Sequence, residues 1–397
     1  SWFVLSAVGA VPFCMTKQIP HYLDALFEMV SGFTTTGSSI LQHVEALDRC
    51  MLFWRSFSHW IGGMGVLVFM LAILPLSGSG GQNLYLMRAE SPGPTVDKLS
   101  PKMRSSAAWL YGIYLGLSIL CFLVLLIGGM PVFDAACMTF GTAGTGGFGV
   151  VASSFNDYSM FGINFNFYYL LILRRLRDAF KMEEVRWYLG IFFFASLTIL
   201  INLYHGGVIG HQAQPIDAFF SVSSVMTTTG FATADFNLWP SYSRMMLVLI
   251  MFTGACAGST GGGIKISRFL IYFKAVSKEL RRMSHPRSVR HLRMDGKTVE
   301  DGTIQNTFVY MVVFGVIFAV SAMILSLDGF DPVTNFTAVA ATINNIGPGL
   351  DMVGPVGNFS AFSWRSKVVL IFDMLAGRLE IYPLLIFFLP ATWKRHT

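Results

Sequence analysis

Residues 31–40 read SGFTTTGSSI, a run of hydroxyl side chains and glycine in a chain that is 53% hydrophobic. Related segments recur as GTAGTGGFGV at 141–150, MTTTGFATADF at 226–236 and NNIGPGL at 344–350. They hold no nucleophile beside a base and no paired carboxylates. What they offer is oxygen, from backbone carbonyls and hydroxyls, and rings of carbonyls can replace the hydration shell of a cation. Elsewhere the eight histidines show no HExxH or paired ligand spacing. Gly144 to Gly149 fits GxGxxG, but it follows a short apolar helix, and residues 166–172 (NFYYLLI) carry no acidic partner for a ribose. GSTGGGIK at 258–265 lacks the adjacent Gly-Lys-Ser/Thr of a phosphate loop. With no site for bond-making chemistry, the chain is read as a non-enzyme without an organic cofactor.

The elements that carry these segments share one grammar. PHYLDALFEMVSGFTTTG has Pro20, Asp24 and Gly37, and PVFDAACMTFGTAGTG has Pro131, Asp134 and Gly146. PIDAFFSVSSVMTTTG has Pro215, Asp217 and Gly230, and DPVTNFTAVAATINNIG has Pro332, Asn335 and Gly347. From the acidic or amide residue to the glycine the spacings are 13, 12, 13 and 12. Proline pre-sets a first helical turn, and Asp or Asn near it favours the positive end of the helix dipole. A helix of about three turns then runs into small residues that cannot continue it. Small residues also serve close helix packing, which would explain one such segment but not four in register.

These short helices lie among long apolar runs: 51–76, 106–130, 187–204, 307–327 and 366–390. Each is near the roughly 20 residues that span a hydrocarbon core. Charged residues make up only 13% of the chain, against about a quarter in soluble proteins, and mean hydropathy is +0.57. The chain therefore belongs in a membrane. Irregular backbone at membrane depth persists only where protein buries it or a watery cavity adjoins it. Four such loops imply a shared cavity, faced by the negative ends of four short helices. That cavity favours a cation.

The sequence pI near 9.1 does not signal nucleic acid. Twenty-one of the 28 lysines and arginines fall at 88–104, 174–186, 265–297 and 394–395. These are alternate loops, which places them on the cytoplasmic side and the TTTG entrances on the outer side. The five cysteines are scattered with no CxxC spacing and are read as small hydrophobes. The opening apolar stretch has only 13 residues, so the chain is expected to begin within a span.

FTTTGSS, TAGTGGF, TTTGFATADF and NNIGPGL, with RSFSHWIGGMGV (55–66), GACAGSTGGGIK (254–265), SHPRSV (284–289) and GRLEIYPLL (377–385), resemble the TrkH/KtrB/HKT superfamily of potassium transporters, most closely its bacterial TrkH members. The resemblance covers essentially the whole chain. It implies an all-α membrane protein of four linked span–pore helix–span repeats around a pseudo-four-fold central pore. It also implies a homodimer, a cytosolic nucleotide-binding regulatory ring of the TrkA type, and the bacterial cytoplasmic membrane as location. The repeats are assigned to 1–76 (first span incomplete), 103–175 (second span incomplete), 186–283 (last helix broken) and 303–397.

Carried over by residue, the resemblance puts the potassium filter at Thr35, Thr36 and Gly37; Gly144, Thr145 and Gly146; Thr228, Thr229 and Gly230; and Asn345, Ile346 and Gly347. In the superfamily a serine at the first filter position accompanies sodium transport, and glycine at all four positions favours potassium. The run 238–280 should be one spanning helix, yet TGACAGSTGGG at 253–263 interrupts it with five glycines. In TrkH-like proteins this segment is an intramembrane gate, here Gly254, Ala255, Gly258, Ser259, Gly261, Gly262 and Gly263. Arg378 lies in the last span, and intramembrane charges face an interior cavity and pair. The resemblance gives it a gating or barrier role. The basic amphipathic segment after the gate either touches anionic lipid headgroups or docks the regulatory partner.

The expected function is potassium uptake through a carbonyl-lined filter under control of the glycine loop. The alternative is a symporter of potassium with protons or sodium, or a sodium-permeable relative. Symport wants an intramembrane carboxylate, and Asp373 and Glu380 are the candidates. The intervals between the filter glycines are 109, 84 and 117 residues. The short second interval leads to the expectation that residues are absent around 158–165.

Overall fold

The computed structural model describes residues 2–65, 103–151, 182–210, 212–256, 261–285, 292–379 and 381. Among them, the helices fall along the chain into four groups, each holding one short helix. The first is α1 (Trp2–Met15), α2 (Tyr22–Phe33) and α3 (Arg49–Met64). The second is α4 (Met103–Ile127) and α5 (Val132–Ala143). The third is α6 (Glu183–His205), α7 (Pro215–Met226), α8 (Ser241–Met251) and α9 (Ile266–Ser284). The fourth is α10 (Asp301–Leu325), α11 (Pro332–Ile343) and α12 (Trp364–Arg378). A two-stranded hairpin, β1 (Arg293–Met294) and β2 (Lys297–Thr298), turns on Asp295-Gly296 between α9 and α10.

Each short helix has 12 residues. Their starts reflect local chemistry. Pro215 and Pro332 occupy the first turn of α7 and α11, where a missing N–H costs nothing. Asp217 accepts from the Gln214 N–H at 2.7 Å, and Asp331 accepts from the Val333 N–H at 2.9 Å. Asp24, Asp134 and Asp217 are each the third residue of their helix. In α11 that position is Thr334, so Asn335 stands one residue late in the register. Its amide donates to Phe330 O instead.

The short helices pack between the long helices of their own unit, and the units interlock in order. The helix after one short helix leans on the next unit's short helix: α3 on α5, α8 on α11, and α12 back on α2. This inner layer is nearly sealed; Phe27, Met29, Val30, Ala338, Val339 and Ala340 have no exposed surface. The outward faces of the long helices are apolar instead, with Phe193, Phe194, Val312, Val316 and Met323 all exposed. In water so many exposed apolar side chains would be a liability, whereas hydrocarbon solvates them. Glu183–His205, and Asp301–Leu325 with its extension to Asp328, are long and apolar enough to cross a membrane.

Within the run 238–280, α8 ends at Met251 and α9 begins at Ile266. The expected gap around 158–165 and residues Gly258, Ser259 and Glu380 lie outside the described residues.

Candidate cation-binding site

All four short helices end the same way. In each, the residue two past the helix has a left-handed backbone: Thr35 (φ 55°), Thr145 (φ 56°), Thr228 (φ 53°) and Asn345 (φ 52°). Its N–H bonds three residues back, to Gly32, Thr142, Val225 and Thr342. The next N–H reaches five residues back, from Thr36 to Ser31 (2.9 Å), Gly146 to Gly141 (2.8 Å), Thr229 to Ser224 (2.8 Å) and Ile346 to Ala341 (2.8 Å). This pair of bonds is the Schellman ending. Glycine normally takes the left-handed position, and a β-branched threonine there is an outlier. Such strain, of order 1–3 kcal/mol per residue, persists only when the surroundings enforce it.

Four residues past each helix the φ is positive again, at Gly37, Gly147, Gly230 and Gly347. The backbone thus corrects the second register. Gly144-Thr145-Gly146 stands one residue early, because GTGG holds two candidate glycines and only their φ angles tell them apart. Gly147 is the equivalent of Gly37, and Gly144 is the helix cap. Measured in this register, the spacing from the third helical residue to the glycine is 13 in every unit.

These glycines close a ring. A Cβ on Gly37 would lie 2.2 Å from Gly146 O, and one on Gly147 would lie 2.1 Å from Thr229 O. On Gly230 it would meet Ile346 O at 1.9 Å, and on Gly347 it would meet Thr36 O at 2.8 Å. Each glycine therefore abuts the carbonyl just before the next unit's glycine, in the cyclic order one, two, three, four, one. Side chains tie the seam between the fourth and first units, where Asn345 Nδ2 donates to Thr36 Oγ1 at 2.8 Å and to Met374 O at 2.9 Å. On the glycine side of the ring lies a small cavity of about 80 Å3, whose lining includes Gly37, Ser38, Gly147, Gly230 and Gly347.

The opposite side of the loops meets the break between α8 and α9. Thr253 and Ile264 bridge, with the Gly254 N–H on Ile264 O at 2.8 Å. The Gly262 N–H donates to Thr228 Oγ1 at 2.8 Å. A Cβ on Gly262 would lie 2.6 Å from Asn344 O, and one on Gly261 3.2 Å from Thr227 O. Gly263, next to Gly254 and Asn344, has φ 73°. Ala255 is buried against Gly261. So Gly261, Gly262 and Gly263 press on the third and fourth loops, with Gly254 and Ala255 packed behind them.

Arg378 covers the first loop. Its guanidinium donates to Thr35 Oγ1 at 3.1 Å and to the carbonyls of Gly62 and Gly63. These carbonyls end α3, and a cation there answers both the unmet acceptors and the negative helix end. Asp373, by contrast, is buried toward α10, where Ser321 Oγ donates to it at 2.8 Å.

Three buried charged residues that the sequence does not single out hold these loops. Glu28 (0% exposed) in α2 and Arg55 (2%) in α3 form a buried pair at 2.6 Å. Glu28 also accepts from Ser39 Oγ and the Ile40 N–H (3.0 Å), just past Gly37. Arg55 donates to Gly149 O at 3.0 Å and lies over the Phe148 ring, just past Gly147. The pair thus staples the first two loops together just past Gly37 and Gly147. Lys265, 1% exposed, donates its ammonium to Gly261 O and tethers the glycine loop from below. A glutamate in so apolar a helix, and an arginine opening RSFSHWIGGMGV, are the signals the sequence offers for the first two. Lys265 ends GACAGSTGGGIK, but nothing in that motif marks it as a tether.

Helices apolar on their outward faces, surrounding four short helices whose terminal loops abut one another in a ring, define an integral membrane protein. Comparison with known proteins agrees: residues 1–173 and 191–395 match the TrkH family, described as cation transport protein. The chain belongs to that family. It is 35% identical over 411 residues to the Trk system potassium uptake protein TrkH of Escherichia coli K12, covering 99% of this chain and 84% of the relative. The Trk system potassium uptake protein TrkG of the same organism is equally similar, at 35% over 411 residues with the same coverage. Among solved structures, the crystal structure of the potassium transporter TrkH from Vibrio parahaemolyticus matches with a TM-score of 0.82 and 32% identity. The match covers 99% of this chain and 84% of that one.

Proposed function

We propose that the chain carries potassium inward across the bacterial cytoplasmic membrane through the ring of four loops. The observation that carries this reading is the cyclic contact of Gly37, Gly147, Gly230 and Gly347 with the carbonyls of Gly146, Thr229, Ile346 and Thr36. Close approach of four backbones puts oxygens around one axis without side chains between them, as stripping a hydrated cation requires. The ends of four short helices add partial negative charge. A potential of 100 mV is worth about 2.3 kcal/mol per charge to an entering cation.

In this reading Thr35, Thr36, Thr145, Gly146, Thr228, Thr229, Asn345 and Ile346 supply filter oxygens. Loops of four different sequences discriminate against sodium less sharply than four identical ones. The glycine loop at 253–263 is the gate, because Gly262 bonds to Thr228, and Arg378 adds a positive barrier beside Thr35. A cytosolic nucleotide-binding ring of the TrkA type moves that gate, and the unit of function is a homodimer with its basic loops in the cytoplasm. The relatives' names as Trk system potassium uptake proteins support the ion and the system.

The test is potassium and sodium flux into proteoliposomes for the unmodified chain and Gly37→Ser. The expected result is sodium entry or loss of potassium flux, since a serine Cβ drives Gly146 O out of place. Unchanged fluxes of both ions would remove the first loop from the permeation path and the pore reading with it.

A further inference from the structure

A groove of about 850 Å3 runs between α6 and α9, away from the ring. Ile191, Ile266, Phe269, Leu270 and Phe273 line its apolar length. A second cavity of about 570 Å3 adjoins it through Trp187, Ile191 and Lys274. At one end the lining reaches Thr253 and Ile266, which flank the glycine loop. At the other it is basic: Lys274, Lys278, Arg281 and Arg282 recur at helical spacing along one face of α9, and Arg293 of β1 joins them.

Lys274 is bonded to Glu183, and Arg282 pairs with Glu279. Among the described residues, Lys278, Arg281 and Arg293 have no ion-pair partner. The end of the groove is therefore net positive, and its occupant must bring negative charge to that end and hydrocarbon to the other. Dimensions narrow the choice. Ile266 to Arg281 is fifteen helical steps, about 22 Å at 1.5 Å each. Half a hydrocarbon core of about 15 Å plus a headgroup layer of about 5–7 Å gives the same span. Trp187, 58% exposed at the start of α6, sits where interfacial tryptophans sit.

We infer that the groove binds one anionic diacyl phospholipid from the leaflet facing the basic loops. Its phosphate lies among Lys278, Arg281 and Arg293, and an acyl chain lies along Phe273, Leu270 and Ile266. The chain end then abuts both anchors of the glycine loop, so a bound lipid supports the loop where it presses on Thr228 and Asn344. Binding follows from the groove alone; only this effect on flux rests on the gate reading above.

Binding can be read from Trp187. The whole protein is placed in phosphatidylcholine vesicles with a fixed fraction of phosphatidylglycerol, and bromine is carried on the acyl chains of one lipid or the other. Subtracting the fluorescence of Trp187→Phe isolates this tryptophan. Each basic residue near the surface favours anionic lipid about five-fold, so three give a preference on the order of a hundred-fold at Trp187. Lys278→Gln and Arg281→Gln should each cut it about five-fold. Equal quenching by both lipids would overturn the inference, because no charge selection would operate. Quenching by neither would overturn it too, since a protein segment or a second copy would then fill the groove. Loss of lipid selectivity with an intact Gly37→Ser effect sinks the lipid site and spares the pore. The reverse result sinks the pore and spares the lipid.

Discussion

Alanine placed in turn at Gly37, Gly147, Gly230 and Gly347 separates two penalties that usually arrive together. Every one of these positions has a φ between 79° and 103°, so an alanine at any of them adopts a left-handed backbone at about 1–2 kcal/mol. That cost is common to all four variants. What differs is the space. An ordinary contact begins at 3.4 Å, so the new Cβ at Gly230, 1.9 Å from Ile346 O, needs about 1.5 Å of retreat. Gly147 and Gly37 need about 1.2–1.3 Å, and Gly347, at 2.8 Å from Thr36 O, about 0.6 Å. The atom that moves is a carbonyl oxygen assigned to ion coordination, so its displacement should appear as lost selectivity more than as lost folding. The assay is the potassium-to-sodium permeability ratio in proteoliposomes, with thermal midpoint recorded alongside. Gly230→Ala should lose at least about ten-fold in that ratio, equivalent to 1.4 kcal/mol. Gly347→Ala should lose least, while the thermal midpoints stay close together. A ratio that is unchanged in all four variants, or lowest for Gly347→Ala, would refute the carbonyl-ring account.

The remaining expectations concern what holds the ring. Glu28→Ala strands Arg55 in a dry interior, and removing one partner of a buried pair costs about 3–5 kcal/mol. The thermal midpoint should fall sharply, and adding Arg55→Met should restore part of it; no recovery in the double variant would argue that Glu28 acts by packing alone. Gly262→Ala puts a methyl 2.6 Å from Asn344 O and should lift the glycine loop away, raising potassium flux in the absence of any regulatory partner. Flux equal to or below the parent's would count against the loop as an obstruction. Lys265→Met removes the tether on Gly261 O and should act in the same direction, more weakly, in the same assay. Arg378→Gln removes the charge while leaving donors for Thr35 and Gly62. Inward current should rise if the charge is a barrier, and a current that only falls would show that its role is structural.

Much of this arrangement is local and therefore legible in the chain itself. Proline and aspartate open a twelve-residue apolar helix, and small residues end it. The glycine break at 253–263 interrupts an apolar run that would otherwise span. Low charge and alternate basic loops place the whole in a bilayer. These features follow from interactions between residues a few positions apart, or from the depth at which a segment lies.

What only the tertiary structure decided depends on how the units close on one another. GTGG offers two closely backed glycines, and Gly147 rather than Gly146 takes the positive φ and the ring position, its Cα against Thr229 O, 82 residues away in the chain. Asn335 looks like the fourth counterpart of Asp24, yet Thr334 holds that register. Glu28 and Arg55 carry no mark of their partnership, since a buried charge reads as an oddity until its counter-charge is in view. Arg378 reaches Thr35 and Gly62, 343 and 316 positions away, and no periodicity along the chain announces contacts at that distance. A helix's ends and its depth in the membrane are written along the chain. Which carbonyl faces which glycine is written only in the closure of the ring, where steric exclusion at 2 to 3 Å acts between units that sequence periodicity cannot align.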